Sequence, residues 1–421
     1  MIERILLKSL IDHLPKKEIS VIVGPRQAGK TTLMQMLKKH LEINGEKTLY
    51  LSLDFESDQP HFQSQAGLLK KIQLELGQQK GYVFIDEIQR KKNAGLFLKG
   101  IYDLDPPYKF IVSGSGSLEL KEKIHESLAG RKRLFELGTI SFEEFLHFKT
   151  EYRYRDKLPD FLSLEKEKAR GLLADYLTWG GYPRVILEET IMEKSRTMDE
   201  IYRSYLERDL AYIFKIDKVE SFNSLIKILA GQAGQLVNFS ELSSTLGISL
   251  PTVKNYLEYA RKTFIINPVT PFFRNVRKEI TKSPVIYFYD LGLRNYISGR
   301  FGPPGPSPTE FGFLLQNLVL NLLKEKLSFR SGEIHFWRTK DKAEVDFVVE
   351  TGRTLTPIEV KYKNLSHPVI ERPLRSFISK YEPPEAWIVN LELKDSVQVN
   401  HTAVHFFPYS ELLFRELENK G

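Results

Sequence analysis

Gly24-Pro25-Arg26-Gln27-Ala28-Gly29-Lys30-Thr31-Thr32 follows the apolar run Ile19-Ser20-Val21-Ile22-Val23 and leads into a helical spacing at Leu33, Met36 and Leu37. The order is strand, glycine loop, helix. Gly24 and Gly29 let the backbone curl so that successive N–H groups face inward, and the N-terminus of the following helix adds a favourable dipole. That is a cradle for phosphate. The string fits G-x-x-x-x-G-K-[ST]: Lys30 is expected on the β- and γ-phosphates, and the Thr31 hydroxyl on Mg²⁺. All nine residues, Gly24 to Thr32, are candidate ligands.

Outward from this loop, residues 1–150 alternate short apolar runs with amphipathic segments, which predicts an α/β layer with a parallel sheet. The expected strands are 19–23, 49–53, 82–85, 109–112 and 134–137, their near-continuous hydrophobicity suiting strands covered on both faces. Ligands of such sheets lie beyond the C-terminal strand ends. Asp86 and Glu87 stand there after Phe84-Ile85, Asp86 placed to hold the Mg²⁺ shell and Glu87 to deprotonate the attacking water. Ser113 to Ser117 follow Val112; Ser115 is either a γ-phosphate contact or part of a helix-capping turn.

With 421 residues and 48.8 kDa, the chain suggests about three domains. Its 42% hydrophobic content suits folded domains, and no apolar run approaches the ~20 residues of a membrane span. The start, Met1-Ile2-Glu3-Arg4, lacks signal-peptide features, so a cytoplasmic protein without membrane contact is expected. The absence of Cys excludes disulfides and thiolate-held metals. A net charge of +7 and a pI near 9.1 point mildly to an anionic partner.

The chain resembles a family of bacterial and archaeal AAA-type P-loop ATPases that carry a C-terminal winged helix and a nuclease-like domain. The marks are the 24–32 string, Phe84-Ile85-Asp86-Glu87-Ile88-Gln89, Ser113-Gly114-Ser115, Leu128-Ala129-Gly130-Arg131 with Phe135-Glu136-Leu137, and Ser141-Phe142-Glu143-Glu144-Phe145. The resemblance implies ATP and Mg²⁺ as cofactors and a strand inserted between the two phosphate-site strands. It also makes Arg131 a candidate arginine finger acting between subunits of a homo-oligomer, with a surface salt bridge as the rival reading. In a helical lid over 151–220, the turn Gly180-Gly181-Tyr182-Pro183 resembles the Gly-x-Pro turn of signalling-type ATPases. By that likeness Gly181 and Pro183 sense the nucleotide; a plain interhelical turn is the alternative.

Residues 221–300 read as a helix-turn-helix: Leu242 and Leu246 are apolar, Gly247 breaks the helix, Ser249 caps the next, and Leu250, Val253, Leu257 and Ala260 recur at helical spacing. Thr252, Lys254 and Asn255 would then face outward toward DNA, with Glu258, Arg261 and Lys262, and 274–278 would form a basic wing. A plain packing module is the rival. After a Gly- and Pro-rich linker over 298–308, a domain over 309–421 starts with a helix. Strand alternation sets Glu359 and Lys361 on one face, and the hairpin returns Glu359 toward Asp346. These residues resemble the PD-(D/E)xK nuclease fold, with Asp346 and Glu359 as possible metal ligands beside Lys361. Gln316 stands where active members place a Glu, which argues against cleavage. The fold expected is thus an α/β P-loop AAA-type core with a lid, a winged helix and a nuclease-like α/β domain. The function expected is ATP hydrolysis coupled to DNA binding or remodelling; a slow nucleotide switch with protein partners is the alternative.

Overall fold

The computed structural model describes residues 2–115, 127–204, 219–273, 283–303, 307–328, 331–339 and 343–417. Strands β1 (Ile19–Gly24), β2 (Thr48–Ser52), β3 (Gly81–Asp86), β4 (Tyr108–Ser115) and β5 (Lys132–Glu136) form one parallel sheet in the order β2-β3-β4-β1-β5. β4 therefore lies between the loop-bearing strand and the strand that ends at Asp86, which is the insertion the resemblance implies.

Period-2 alternation fixes the two faces. Ile22, Phe84, Ile111 and Phe135 pack under α1 (Leu6–His13) and α2 (Lys30–Ile43). Val21, Val83, Ile85, Phe110 and Val112 pack under α3 (Gln65–Leu76) and α4 (Ala94–Asp103). One expectation needs correction: β4 continues through Ser115, paired with Gly24, so Ser113 and Ser115 lie in the strand and not in a turn after it. Residues 116 and 117 fall outside the described ones.

α5 (Phe142–Lys149) starts at a Ser141/Glu144 capping box and is followed by α6 (Leu158–Leu164), α7 (Lys166–Trp179), α8 (Pro183–Leu187) and α9 (Ile191–Ser204). α10 (Val219–Gly231) precedes α11 (Phe239–Leu246), which ends at left-handed Gly247 (φ 61°). α12 (Leu250–Lys262) begins at Ser249, whose side chain accepts from Thr252 N. β6 (Ile266–Val269) and β7 (Val285–Phe288) then pair antiparallel and lead into α13 (Leu291–Ile297). Val253, Leu257 and Ala260 are buried as the spacing predicts. Leu250 is 37% exposed, at the first position of α12. The expected wing over 274–278 lies outside the described residues.

Ser307 and Glu310 form a capping box that starts α14 (Pro308–Leu327) two residues earlier than Glu310, so the linker ends at its cap. The last sheet has the order β12-β13-β11-β10-β9-β8. β8 (Glu333–Arg338), β9 (Glu344–Thr351) and β10 (Thr354–Val360) run antiparallel. β10, β11 (Glu385–Asn390) and β13 (Thr402–Pro408) run parallel, with α15 (Arg372–Tyr381) as the crossover and β12 (Asp395–Val399) antiparallel at the edge. Phe142, Leu173, Leu177, Leu315, Leu318, Phe347, Ile358 and Trp387 share one apolar cluster. The inner face of this sheet is thus closed by α14 together with α5 and α7. Among the described residues, no helix is long and apolar enough to cross a membrane.

Asp290, 3% exposed, joins the lid turn to the strand pair: Oδ2 accepts from Gly181 N at 2.7 Å and Oδ1 from Leu293 N at 2.9 Å. Asp290→Ala removes a helix cap and strands a buried N–H, so a loss of about 2–4 kcal/mol is expected. Chemical denaturation checks it; a loss below about 0.5 kcal/mol would show the joint to be dispensable.

Candidate functional site

Gly24 lies so close to the β5 exit that a Cβ there would come within 2.0 Å of Leu137 O, so the backbone itself lines the cradle. Gln27 (φ 57°) and Gly29 (φ 94°) are left-handed and turn the chain into α2. Lys30 is 6% exposed, and its ammonium donates to the carbonyls of Gly24 (3.0 Å) and Pro25 (2.8 Å), curled along the inside of the loop. Thr31 Oγ1 donates to Asp86 Oδ2 at 2.7 Å. The expected metal-holding pair is thus assembled across 55 residues of sequence.

Asp86, 3% exposed, accepts four hydrogen bonds: on Oδ2 from Thr31 and from the Tyr50 hydroxyl (2.6 Å), on Oδ1 from the Ser113 hydroxyl and Glu87 N (3.1 Å). Glu87 itself is left-handed (φ 56°), a conformation that costs a non-glycine residue free energy and recurs at functional sites. Its carboxylate accepts from the Gln89 side-chain amide. Burial pushes the Glu87 carboxyl above its ordinary range; the nearby Lys30 charge opposes this, and that of Asp86 adds to it. A raised pKa suits a group that must take a proton near neutrality. Among the residues that form this site, Tyr50 and Gln89 escaped the sequence reading of roles, although Gln89 belongs to the quoted Asp-Glu string.

The lid turn closes one side of the loop. Gly181 N reaches Asp290, Gly181 O accepts from Ile140 N (2.7 Å), and Pro183 Cγ lies 3.9 Å from where a Cβ on Gly29 would stand. Gly181 and Pro183 are therefore beside the loop. Arg184 Nη1 donates to Gln27 Oε1 at 3.2 Å and pairs with Glu200 at 3.0 Å. Behind the loop, buried Arg4 donates to Ala28 O (2.7 Å) and Gly138 O (2.8 Å) and pairs with Glu144 (3.1 Å). Neither arginine carries a local signal, since each acts through partners distant in sequence.

Other candidates sit elsewhere. Arg131 precedes β5, where its carbonyl accepts from Ile19 N at the start of β1, and its guanidinium pairs with Asp103 at 2.8 Å. It thus lies at the strand end opposite the loop. On α12, Lys254 and Asn255 are exposed, Lys254 lying over the Phe239 ring at 5.5 Å, while the Thr252 and Ser249 hydroxyls meet at 2.7 Å. Glu258 pairs with Arg261 (2.5 Å) and Lys262 (3.5 Å), so those cations are partly neutralised.

In the C-terminal sheet the hairpin register brings Asp346 and Glu359 side by side, with Val360 N donating to Asp346 Oδ2 at 2.7 Å. Gln316 of α14 is hydrogen-bonded to Asp346. Lys361, one residue past β10, lies 3.3 Å from Glu359 and 3.0 Å from Glu371. Burial pushes Asp346 up to about 6 and Glu359 up to about 7, with Lys361 opposing both shifts. Two carboxylates and an amide therefore converge; among the described residues no three His, Cys, Asp or Glu form a metal-holding group.

Residues 16–146 match the family described as an AAA domain, and 170–303 and 311–412 match two domains of unknown function, DUF8612 and DUF4143. An uncharacterized protein of Mycobacterium tuberculosis is 27% identical over 408 residues, covering 94% of this chain and 79% of the relative. One of Methanocaldococcus jannaschii is 27% identical over 393 residues (91% and 83%), and one of Haemophilus influenzae 25% over 372 (85% and 86%). Solved structures include the Aeropyrum pernix ORC1 protein in complex with DNA (12% identical, 70% of this chain and 91% of that one, TM-score 0.29). The replication initiator DnaA bound to AMPPCP and single-stranded DNA is similar at 17% identity (61% and 86%, TM-score 0.31). TM-scores this low give the structural likeness no weight. The family match and the geometry of the loop together make residues 16–146 a P-loop core of the AAA type.

Proposed function

We propose that the chain is a Mg²⁺-dependent ATPase. The observation that carries this is the 2.7 Å Thr31–Asp86 bond beside a loop curled around Lys30. Gly24, Pro25, Arg26, Gln27, Ala28, Gly29, Lys30, Thr31 and Thr32 bind the phosphates, Lys30 as the charge on the β- and γ-groups. Thr31 and Asp86 would hold Mg²⁺, which when bound neutralises phosphate charge. Glu87 takes the proton of the attacking water, and Ser113 steadies Asp86. Gly181 and Pro183 face the nucleotide from the lid, joined by Arg184. Arg131, at the opposite end of the sheet, reaches a phosphate only in a neighbouring chain of a homo-oligomer. The Ser115 side chain lies outside the described ones. Lys30→Ala is expected to abolish ATP binding, and Glu87→Gln to retain binding while hydrolysis falls at least ~100-fold. The raised Glu87 pKa means the base form is lost as pH falls through a value above 4.5, so the acid limb of turnover lies above 4.5. Undiminished turnover in Glu87→Gln would refute the assignment.

ATP use is coupled to DNA through α12, by the exposed Lys254 and Asn255 and the partly exposed Thr252. Lys254→Ala with Asn255→Ala is expected to weaken DNA binding about tenfold at unchanged ATP affinity, with affinity falling steeply as salt rises. A second reading, a slow nucleotide switch with protein partners, is favoured by Glu258 neutralising Arg261 and by Gln89 holding Glu87. DNA affinity that ignores both salt and these substitutions would select the switch.

The C-terminal site is proposed as a docking or DNA-binding module that cuts poorly, because the neutral Gln316 amide holds Mg²⁺ less well than a carboxylate. Linear and branched DNA incubated with Mg²⁺ or Mn²⁺ should stay intact with the wild type, and Gln316→Glu should gain cutting. Robust wild-type cutting that disappears in Asp346→Ala would overturn this.

A further inference from the structure

We infer that Tyr50 is a positioning residue that holds Asp86 in the orientation the metal requires, a reading that rests on the proposed nucleotide site. Asp86 is nearly inaccessible, and each of its oxygens takes two protein donors. Of these, the Ser113 hydroxyl of β4 and the backbone Glu87 N serve Oδ1, and on Oδ2 Thr31 belongs to the loop. Tyr50, the second donor to Oδ2, comes from β2, in register with Phe84, so its side chain must reach forward along the sheet face to meet Oδ2 at 2.6 Å. Its ring packs against the apolar layer under α2, the cluster that contains Leu33, Leu37 and Phe84. The same phenol is hydrogen-bonded to Gln35 of α2, which makes a line from the loop's own helix through Tyr50 to Asp86.

The physical need is clear. Mg²⁺ demands near-octahedral geometry and dehydrates reluctantly, so a carboxylate free to rotate holds its shell poorly, and residues behind a metal ligand typically change metal affinity ~10–100-fold when removed. Phenylalanine at position 50 would keep the packing and remove only the donor.

The test is equilibrium binding of a fluorescent ATP analogue to the full chain, titrated with Mg²⁺ and repeated in EDTA. For Tyr50→Phe, the free Mg²⁺ that gives half the metal-dependent gain in binding is expected to rise about tenfold, with binding in EDTA unchanged. In an Asp86→Asn background the same change should add little, because the two residues act as one unit. Superimposable Mg²⁺ titrations, or an equal loss in EDTA, would overturn the inference, the second outcome marking a structural role. Lys30→Ala separates the two levels: analogue binding retained there would refute the nucleotide site itself, whatever Tyr50 does.

Discussion

The carboxylate of Asp290 occupies a point where the backbone leaves no room for alternatives. A Cβ on Gly180 would come within 2.3 Å of Asp290 Oδ1, one on Gly181 within 2.3 Å of Ile140 O, and one on Gly292 within 2.0 Å of Trp179 O. Glycine is required at each position by contact, and at Gly180 by its φ of 74° as well. Burial raises the Asp290 pKa, while bonds from Leu293 N and Gly181 N favour the charged form. The lid turn is thereby fixed to α13, and Asn295 strengthens the joint by donating to Leu177 O and Thr178 O. Tyr182 of the lid turn and Val185 just after it share one apolar cluster with Leu242, Val253 and Leu257 of the α11–α12 unit.

The loop and the β3 end take their side-chain partners from several elements. Lys30 and Thr31 are positioned by local backbone, and Asp86 and Glu87 by the end of β3. The groups that tune them arrive from elsewhere: Tyr50 and Ser113 on Asp86, Gln89 on Glu87, Arg4 behind Ala28, Arg184 at Gln27. The Arg4 guanidinium satisfies carbonyls of the loop and of the β5–α5 connection together, and Glu144, already bound to Ser141 N, balances its charge. Removing Arg4 would therefore leave the buried Glu144 carboxylate without its charge partner, and Ala28 O and Gly138 O without the guanidinium donor.

What sequence could reveal follows from separation along the chain. The loop, the Asp86-Glu87 end and the parallel strands are written in contiguous residues, because glycine, a β-strand run and a strand-end carboxylate are local signals. The Asp346–Glu359 pairing was also legible, since a Thr351-Gly352 turn sets the register between adjacent strands. Arg4 and Ala28 are 24 residues apart, Tyr50 and Asp86 36, and Gly181 and Asp290 109. No periodicity announces such pairs, and each of those residues also reads as an ordinary surface or core residue. Ser113 was misplaced for another reason: Ser113-Gly114-Ser115 has turn composition, yet parallel pairing with β1 carries the strand through it. Tertiary hydrogen bonding prevails over local preference there.

The same logic extends to the C-terminal site. Asn317, 2% exposed, accepts from Phe288 N and donates to Phe288 O, both at 2.8 Å, as if it were a further strand residue beside β7. Its neighbour Gln316 is bonded to Asp346. Phe288 is in turn two residues from Asp290, which holds Gly181 next to the phosphate loop. Between the loop and the C-terminal carboxylates the chain of contacts thus runs through the lid turn, the end of β7 and α14, by the hydrogen bonds Arg184–Gln27, Gly181–Asp290, Asn317–Phe288 and Gln316–Asp346. Gly234 lies against the same residue, since a Cβ there would stand 3.2 Å from Gln316 Oε1. A displacement of the lid turn must therefore either carry β7 and α14 with it or break buried hydrogen bonds, at roughly 1–3 kcal/mol for each group left unsatisfied. An effector's differential affinity typically supplies about 1–3 kcal/mol, whereas breaking two such bonds costs about 2–6 kcal/mol, so movement as one body is the smaller cost.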